Sequence, residues 1–167
     1  VVSVLKRKDR KAPEAAFARI LRKDCTVDGC PNFRYREWFT HKRLLLPQLI
    51  EFAPVNAYVL IRQMACTLLQ PLRTAMERPV EITSGYRTPQ INKAVGGSDH
   101  SQHLVCEAVD IVFRNEDGSV DMPALAAAQT WLREHCFHGV GLSLIHHQHM
   151  HLSVPDGFRQ SLFQVKV

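Results

Sequence analysis

Residues 82–113 read ITSGYRTPQINKAVGGSDHSQHLVCEAVDIVF, and the order of signals in this stretch decides what the chain can be. A β-branched run, Val80 to Thr83, breaks at Ser84-Gly85 and gives way to Arg87, a helical turn opened by Pro89, and a Gly96-Gly97 loop. Ser101-x-His103 follows. Seven residues past His103 stands Asp110, inside the apolar strand Ala108-Val109-Asp110-Ile111-Val112. Burying an unpaired carboxylate is costly, so Asp110 is a poor choice for a plain core strand. A metal ion would remove that cost, and His149-Met150-His151 can supply a further ligand.

Side chains on a strand alternate faces. Ala108, Asp110 and Val112 therefore share a side opposite Val109, Ile111 and Phe113, while His149, His151 and Ser153 share a side opposite Met150, Leu152 and Val154. Two such strands, each turning its apolar face to packed helices, direct Asp110 and the histidines into one cleft. His103 precedes its strand on a loop, from which it can swing in. Two imidazoles and a carboxylate leave the fourth tetrahedral position for water, as catalytic zinc sites do; structural sites fill all four, mostly with cysteine. Taken alone, the run His146, His147, His149, His151 reads equally well as a metal-scavenging surface turn. Ser101-x-His103 and Asp110 upstream favour His151 as a ligand.

The set Ser84-Gly85-Tyr86-Arg87, Asn92, Gly96-Gly97, Ser101-x-His103, Ala108-x-Asp110 and His149-x-His151 resembles the zinc D-Ala-D-Ala carboxypeptidase and endopeptidase family. This peptidase M15-like group includes phage and bacterial peptidoglycan peptidases and shares its fold with hedgehog signalling domains. The likeness runs from about Phe33 to Val154, and compact phage-type members also carry a helix like Leu69 to Arg73. It implies an α+β fold, in which a small antiparallel sheet is flanked by helices and bears the zinc cleft on its open face. It implies one Zn2+ per chain on His103, Asp110 and His151. It also implies that Arg87 faces the cleft and pairs with a substrate carboxylate or carbonyl through its bidentate fork, and that Ser101 hydrogen-bonds the substrate backbone. Without the resemblance, Arg87 reads as one more surface cation and Ser101 as an ordinary loop serine.

The chain departs from the family pattern twice. Relatives usually carry Gly where Cys106 stands, and cysteine lacks glycine's freedom at positive φ, so local strain or a different loop is expected. Cys106 is also a weaker candidate for a soft metal ligand. Relatives place Asp or Glu at or a few residues before the position of Gln148, and no acid lies anywhere from Gly139 to His151. An imidazole must then take over the base's work. His149 is the first choice, because it shares the strand face of His151, and its ordinary pKa of about 6.5 suits proton transfer near neutrality. His146, in the turn, is the second. His149 reads almost as well as an oxyanion stabiliser or a residue packed in the cleft.

Bounds on the class come from the whole chain. Its 167 residues suffice for one domain with a real core, expected over residues 13–167 behind a basic arm at 1–12. With 46% hydrophobic and 22% charged residues, the composition is that of an ordinary globular protein. No run of about eighteen apolar residues occurs, so membrane insertion is not expected. The net charge of +5 favours polyanionic surroundings such as wall polymers, with nucleic acid the less favoured partner. Five cysteines form no disulfide framework. Cys25 and Cys30 are close enough to bridge, but free, mostly buried thiols are the expected state.

Local signals predict a helix from Pro13, a loop over Asp24 to Asn32, and an extended piece over Phe33 to Phe39. A long helix capped by Asn56 should bury Val59, Leu60, Met64, Leu68 and Leu72, with Pro71 kinking it or opening its final turn. A second helix, capped by Asp121, should run to about His135. Val140–Ile145 and His149–Val154 should pair antiparallel, followed by a tail or edge strand. His135 and His138 read as structural, and His41 and His100 as surface residues.

Two functions from different classes fit. The leading one is a zinc metallopeptidase, phage endolysin-like, hydrolysing peptidoglycan stem or cross-link peptides as a D,D-carboxypeptidase or endopeptidase through a zinc-activated water. The other is a non-catalytic zinc-binding virion or cell-wall-binding domain of the same fold. No charged-then-apolar leader follows Val1, so action at the bacterial wall or periplasm is expected to follow processing, lysis or carriage on a virion.

Overall fold

A computed structural model describes residues 18–21, 23–39, 49, 53–54, 56–136 and 141–154. Its centre is the strand that carries Asp110. This strand, Ala108–Val112, is buried at every position and lies between two neighbours in a four-stranded antiparallel sheet. In chain order the strands are a hairpin pair, β1 (Thr26–Val27) and β2 (Cys30–Arg34), then β3 (Glu81–Ser84), β4 (Ala108–Val112), β5 (Leu142–His146) and β6 (His149–Ser153). The main sheet runs β3-β4-β6-β5. The expected α+β fold, a small antiparallel sheet flanked by helices, is what forms.

Alternation sorts the sheet as the sequence predicts. Val109, Ile111, Met150 and Leu152 are wholly buried and join the apolar core. Helices supply much of the remaining core: α1 (Ala57–Met64), α2 (Gln70–Ala75), the short α3 (Pro89–Ala94) and α4 (Met122–His135). Asp121 caps α4 as predicted, its carboxylate accepting from Ala124 N at 2.9 Å. Leu125, Ala128 and Leu132 of α4 are buried, and Gln129 reaches Ser143 O of β5 at 2.6 Å. His135 is structural as expected, stacked on Trp131 and hydrogen-bonded to its carbonyl.

The long helix differs in detail from its prediction. Between α1 and α2 lies a π-helical segment, Ala65–Leu69, so the apolar face shifts along the run. Val59, expected inward, is 45% exposed. Asn56 makes no side-chain cap; the first helical amide, Ala57 N, is met instead by Pro54 O at 3.0 Å. Pro71 sits in the first turn of α2, where its missing N–H costs least.

The region before α1 corrects two further expectations. Asp24 to Asn32 is no loop: it contains most of the β1–β2 hairpin, with Gly29 at φ 81°. Turn-forming residues there mark the hairpin's tip rather than an irregular connection. Cys30 is not a free thiol, nor is it paired with Cys25; it is bonded to Cys66 of the π segment across 36 positions, with Cα atoms 5.6 Å apart. Only tertiary packing brings those two together, so sequence spacing does not reveal them. Cys25, Cys106 and Cys136 are free. The extended piece expected over Phe33 to Phe39 is strand only to Arg34 and then a 3-10 turn, Tyr35–Phe39, which buries Trp38 completely.

That 3-10 turn is what seats the motif. Tyr86 N donates to Trp38 O at 2.7 Å, and a Cβ placed on Gly85 would lie 2.5 Å from Trp38 Cα and 2.6 Å from its carbonyl oxygen. Glycine is required here for close backbone approach. The basic arm, His41, His138, most of the helix expected from Pro13, and the tail after Val154 fall outside the described residues.

Gly85→Ala is therefore expected to destabilise the protein by about 1–3 kcal/mol through overpacking against backbone that cannot yield. Thermal denaturation beside the parent checks this; an unchanged midpoint would contradict the close approach.

Candidate metal centre

The sheet register builds the site. Ser84 of β3, Asp110 of β4, His151 of β6 and Leu144 of β5 lie in one row across the four strands. Directly opposed residues on antiparallel strands project to the same face, so Asp110 and His151 meet. Asp110 Oδ1 lies 3.0 Å from His151 Nδ1.

His103 enters from a 3-10 turn, Gln102–Val105, and its Nε2 lies 3.2 Å from both Asp110 Oδ1 and His151 Nδ1. Its other nitrogen, Nδ1, is 2.7 Å from Gly85 O. A carbonyl can only accept, so Nδ1 carries the proton and Nε2 presents a lone pair to Asp110 and His151. Arg87 N donates to His103 O at 3.1 Å, fixing the turn to the same segment.

Three possible ligand atoms thus converge within about 3 Å of one another, close enough to share one cation. The fit to zinc is close: bonds of about 2.0–2.1 Å in a tetrahedron hold ligand atoms roughly 3.3 Å apart. Among the described residues, His103, Asp110 and His151 are the group that could hold a metal ion. His103 and Asp110 are buried at 2% and 4% exposure, whereas the side chains of His151 and His149 remain 21% and 32% exposed. The donor set is closed below and open above.

Asp110 is held from both oxygens. Arg87 Nη2 donates to Oδ2, and Arg87 Nε donates to Ser84 Oγ at 2.9 Å. Burial pushes the Asp110 carboxyl up. The neighbouring imidazoles and the Arg87 guanidinium outweigh it and hold the group well below the usual carboxylate range.

His149 Nε2 lies 3.9 Å from Asp110 Oδ1, beside the donor set without being part of it. Burial lowers its pKa, against the opposing pull of Asp110. His146 is not in the turn: it ends β5, paired with His149, and the turn is His147-Gln148, with His147 at φ 51°. Ser101 lines a cleft of about 500 Å³ together with Ser98, His100, Gln102, Gly141, His151 and Ser153. His100 is exposed, as expected of a surface residue, and also lines this cleft. Its signal was its place beside Ser101, and Ser153 was signalled by sharing a strand face with His151.

The remaining motif residues shape the loop. Asn92 Nδ2 donates to Ser98 O at 2.7 Å, and a Cβ on Gly97 would fall 2.2 Å from Asn92 Oδ1. Cys106 adopts the left-handed conformation itself, φ 61°, as the glycine of relatives would. Its side chain is fully buried and lies outside the ligand group, so it is not a metal ligand, and burial pushes its thiol up.

Two imidazoles and one carboxylate, open on one side, could hold one metal ion and leave a position free, as catalytic zinc sites do. The profile of the family described as peptidase M15 matches residues 31–153, and the chain belongs to that zinc-dependent peptidase family. No curated protein matches the chain.

Removing any one donor should release the metal. Protein purified without added metal is expected to carry one zinc by elemental analysis. His103→Ala, Asp110→Ala and His151→Ala should each weaken zinc binding by more than about 100-fold, beyond the loss typical of outer-shell changes, while Cys106→Ser keeps it. Full stoichiometry in Asp110→Ala and His151→Ala would place the site elsewhere.

Proposed function

We propose that the protein is a zinc metallopeptidase that hydrolyses peptidoglycan stem or cross-link peptides, acting at the bacterial cell wall. The observation that carries this reading is the His103–Asp110–His151 donor triangle, open on the side where His149 and the Ser101 cleft lie. Zinc held there supplies Lewis acidity, lowering the pKa of a water and polarising a carbonyl.

The chain's own groups account for the rest. His149, whose Nε2 lies 3.9 Å from Asp110 Oδ1, would take a proton from the attacking water and return it to the leaving amine. No carboxylate lies among residues 141–151 to do this, and Gln148 cannot. His146, across the strand pair with ring centroids 6.0 Å apart, is the second candidate. Ser101 and its neighbours line the cleft with hydroxyl and amide groups suited to a peptide backbone. A net charge of +5 favours approach to anionic wall polymers. No helix among the described residues is long and apolar enough to cross a membrane.

A second reading is kept alive by Gln148 itself. Without the usual acid, the same fold would serve as a non-catalytic zinc-binding domain, carried on a virion or bound to the wall.

The two readings separate in a turbidity assay on purified peptidoglycan with and without chelator. Hydrolysis that a chelator abolishes and zinc restores is expected, and products with and without a free terminal D-Ala distinguish carboxypeptidase from endopeptidase cleavage. In the same assay His149→Ala should lose about 10²–10⁴-fold in turnover while retaining zinc, with His146→Ala losing less. A zinc-loaded parent that cleaves nothing across a broad peptidoglycan panel would support the binding domain instead.

A further inference from the structure

The Ser84-Gly85-Tyr86-Arg87 segment touches the ligand set at three points and braces itself at a fourth. Gly85 O accepts from His103 Nδ1, and Arg87 N donates to His103 O. Arg87 Nη2 donates to Asp110 Oδ2, and Arg87 Nε donates to Ser84 Oγ, which anchors the guanidinium in plane. Tyr86 N, between them, is pinned to Trp38 O. The Arg87 side chain is 18% exposed, with its fork turned onto the ligand carboxylate.

From this geometry we infer that Arg87 is a positioning residue for the metal: it occupies the outer oxygen of Asp110 and keeps that carboxylate monodentate. The inference rests on the metal reading above. A carboxylate has two oxygens, and a zinc ion near an unrestrained one can draw in both. Here Oδ1 alone faces His103 and His151, and Oδ2 is already engaged by a charge-assisted hydrogen bond, about twice the strength of a neutral one. The open position is thereby kept for water and substrate. Outer partners of this kind set ligand orientation and commonly change metal affinity by about 10–100-fold.

Charge and orientation pull in opposite directions here, which makes the role testable. A guanidinium repels a nearby dication, so its loss would strengthen zinc binding if charge dominated. Lysine keeps the repulsion and lacks the planar fork that spans Asp110 and Ser84.

Zinc affinity by competition with a chromophoric chelator should be measured for the parent, Arg87→Ala, Arg87→Lys and Ser84→Ala, with Asp110→Ala as control. Circular dichroism should accompany each variant, and KM and kcat on a wall peptide at saturating zinc should follow. Arg87→Ala and Arg87→Lys are expected to bind zinc about 10–100-fold more weakly, and Ser84→Ala to show a smaller loss in the same direction. KM should be unchanged in all three. Unchanged or tighter zinc binding in folded Arg87→Lys, or a raised KM with parental zinc affinity, would overturn the inference and make Arg87 a substrate anchor. Should Arg87→Ala fail to fold, Ser84→Ala and Arg87→Lys decide the question. Zinc retained by Asp110→Ala would overturn the metal reading itself, and this inference with it.

Discussion

A carboxylate in the middle of a buried strand is the constraint on which the rest depends. Asp110 sits at 4% exposure between Val109 and Ile111, both wholly buried, in a strand flanked on each side by another. An ionised group there is tolerated only if every lone pair has a partner. The surroundings meet that demand from three elements: a guanidinium from the end of β3 donates to Oδ2, and imidazoles from the facing strand and from the turn before β4 stand beside Oδ1, where a shared cation would complete the set. Each partner must be aimed, and much of the local fold is the aiming.

That view explains why the motif contains residues with no chemistry of their own. Gly85 allows its strand end to lie against Trp38, which places its carbonyl under His103. Gly97 leaves room for Asn92, which ties the loop carrying Ser98 and Ser101. Cys106 shows that the left-handed position closing the His103 turn tolerates a small side chain buried in the core. The glycines serve packing at close approach, and the polar residues serve the carboxylate.

The sheet and the meeting of Asp110 with His151 were legible in the sequence because both follow from alternation, whereas His103, on a turn, was singled out with the help of the family resemblance. A period of two puts Asp110 on one face and Val109 and Ile111 on the other, and the same holds for His151 between Met150 and Leu152. Capping chemistry likewise marked Asp121 and the helix behind it. What stayed hidden depended on contacts far apart in the chain. The Cys30–Cys66 bond and the seating of Gly85 on Trp38 span 36 or more positions and have no local signature. The hydrogen bond from Arg87 to Asp110 stayed hidden too, since strand register decides which carboxylate it meets. The π segment before Pro71 escaped for a similar reason, as helical periodicity carries no mark of one extra residue in a turn.

The central claim is that His103, Asp110 and His151 hold a single zinc ion with one position left open. X-ray absorption at the zinc edge, on protein purified without added metal, tests it most directly. The account predicts a low-coordinate shell of nitrogen and oxygen at about 2.0–2.1 Å, the multiple scattering of two imidazoles, and no sulfur. A sulfur shell at about 2.3 Å, or the scattering of three or four imidazoles, would contradict it.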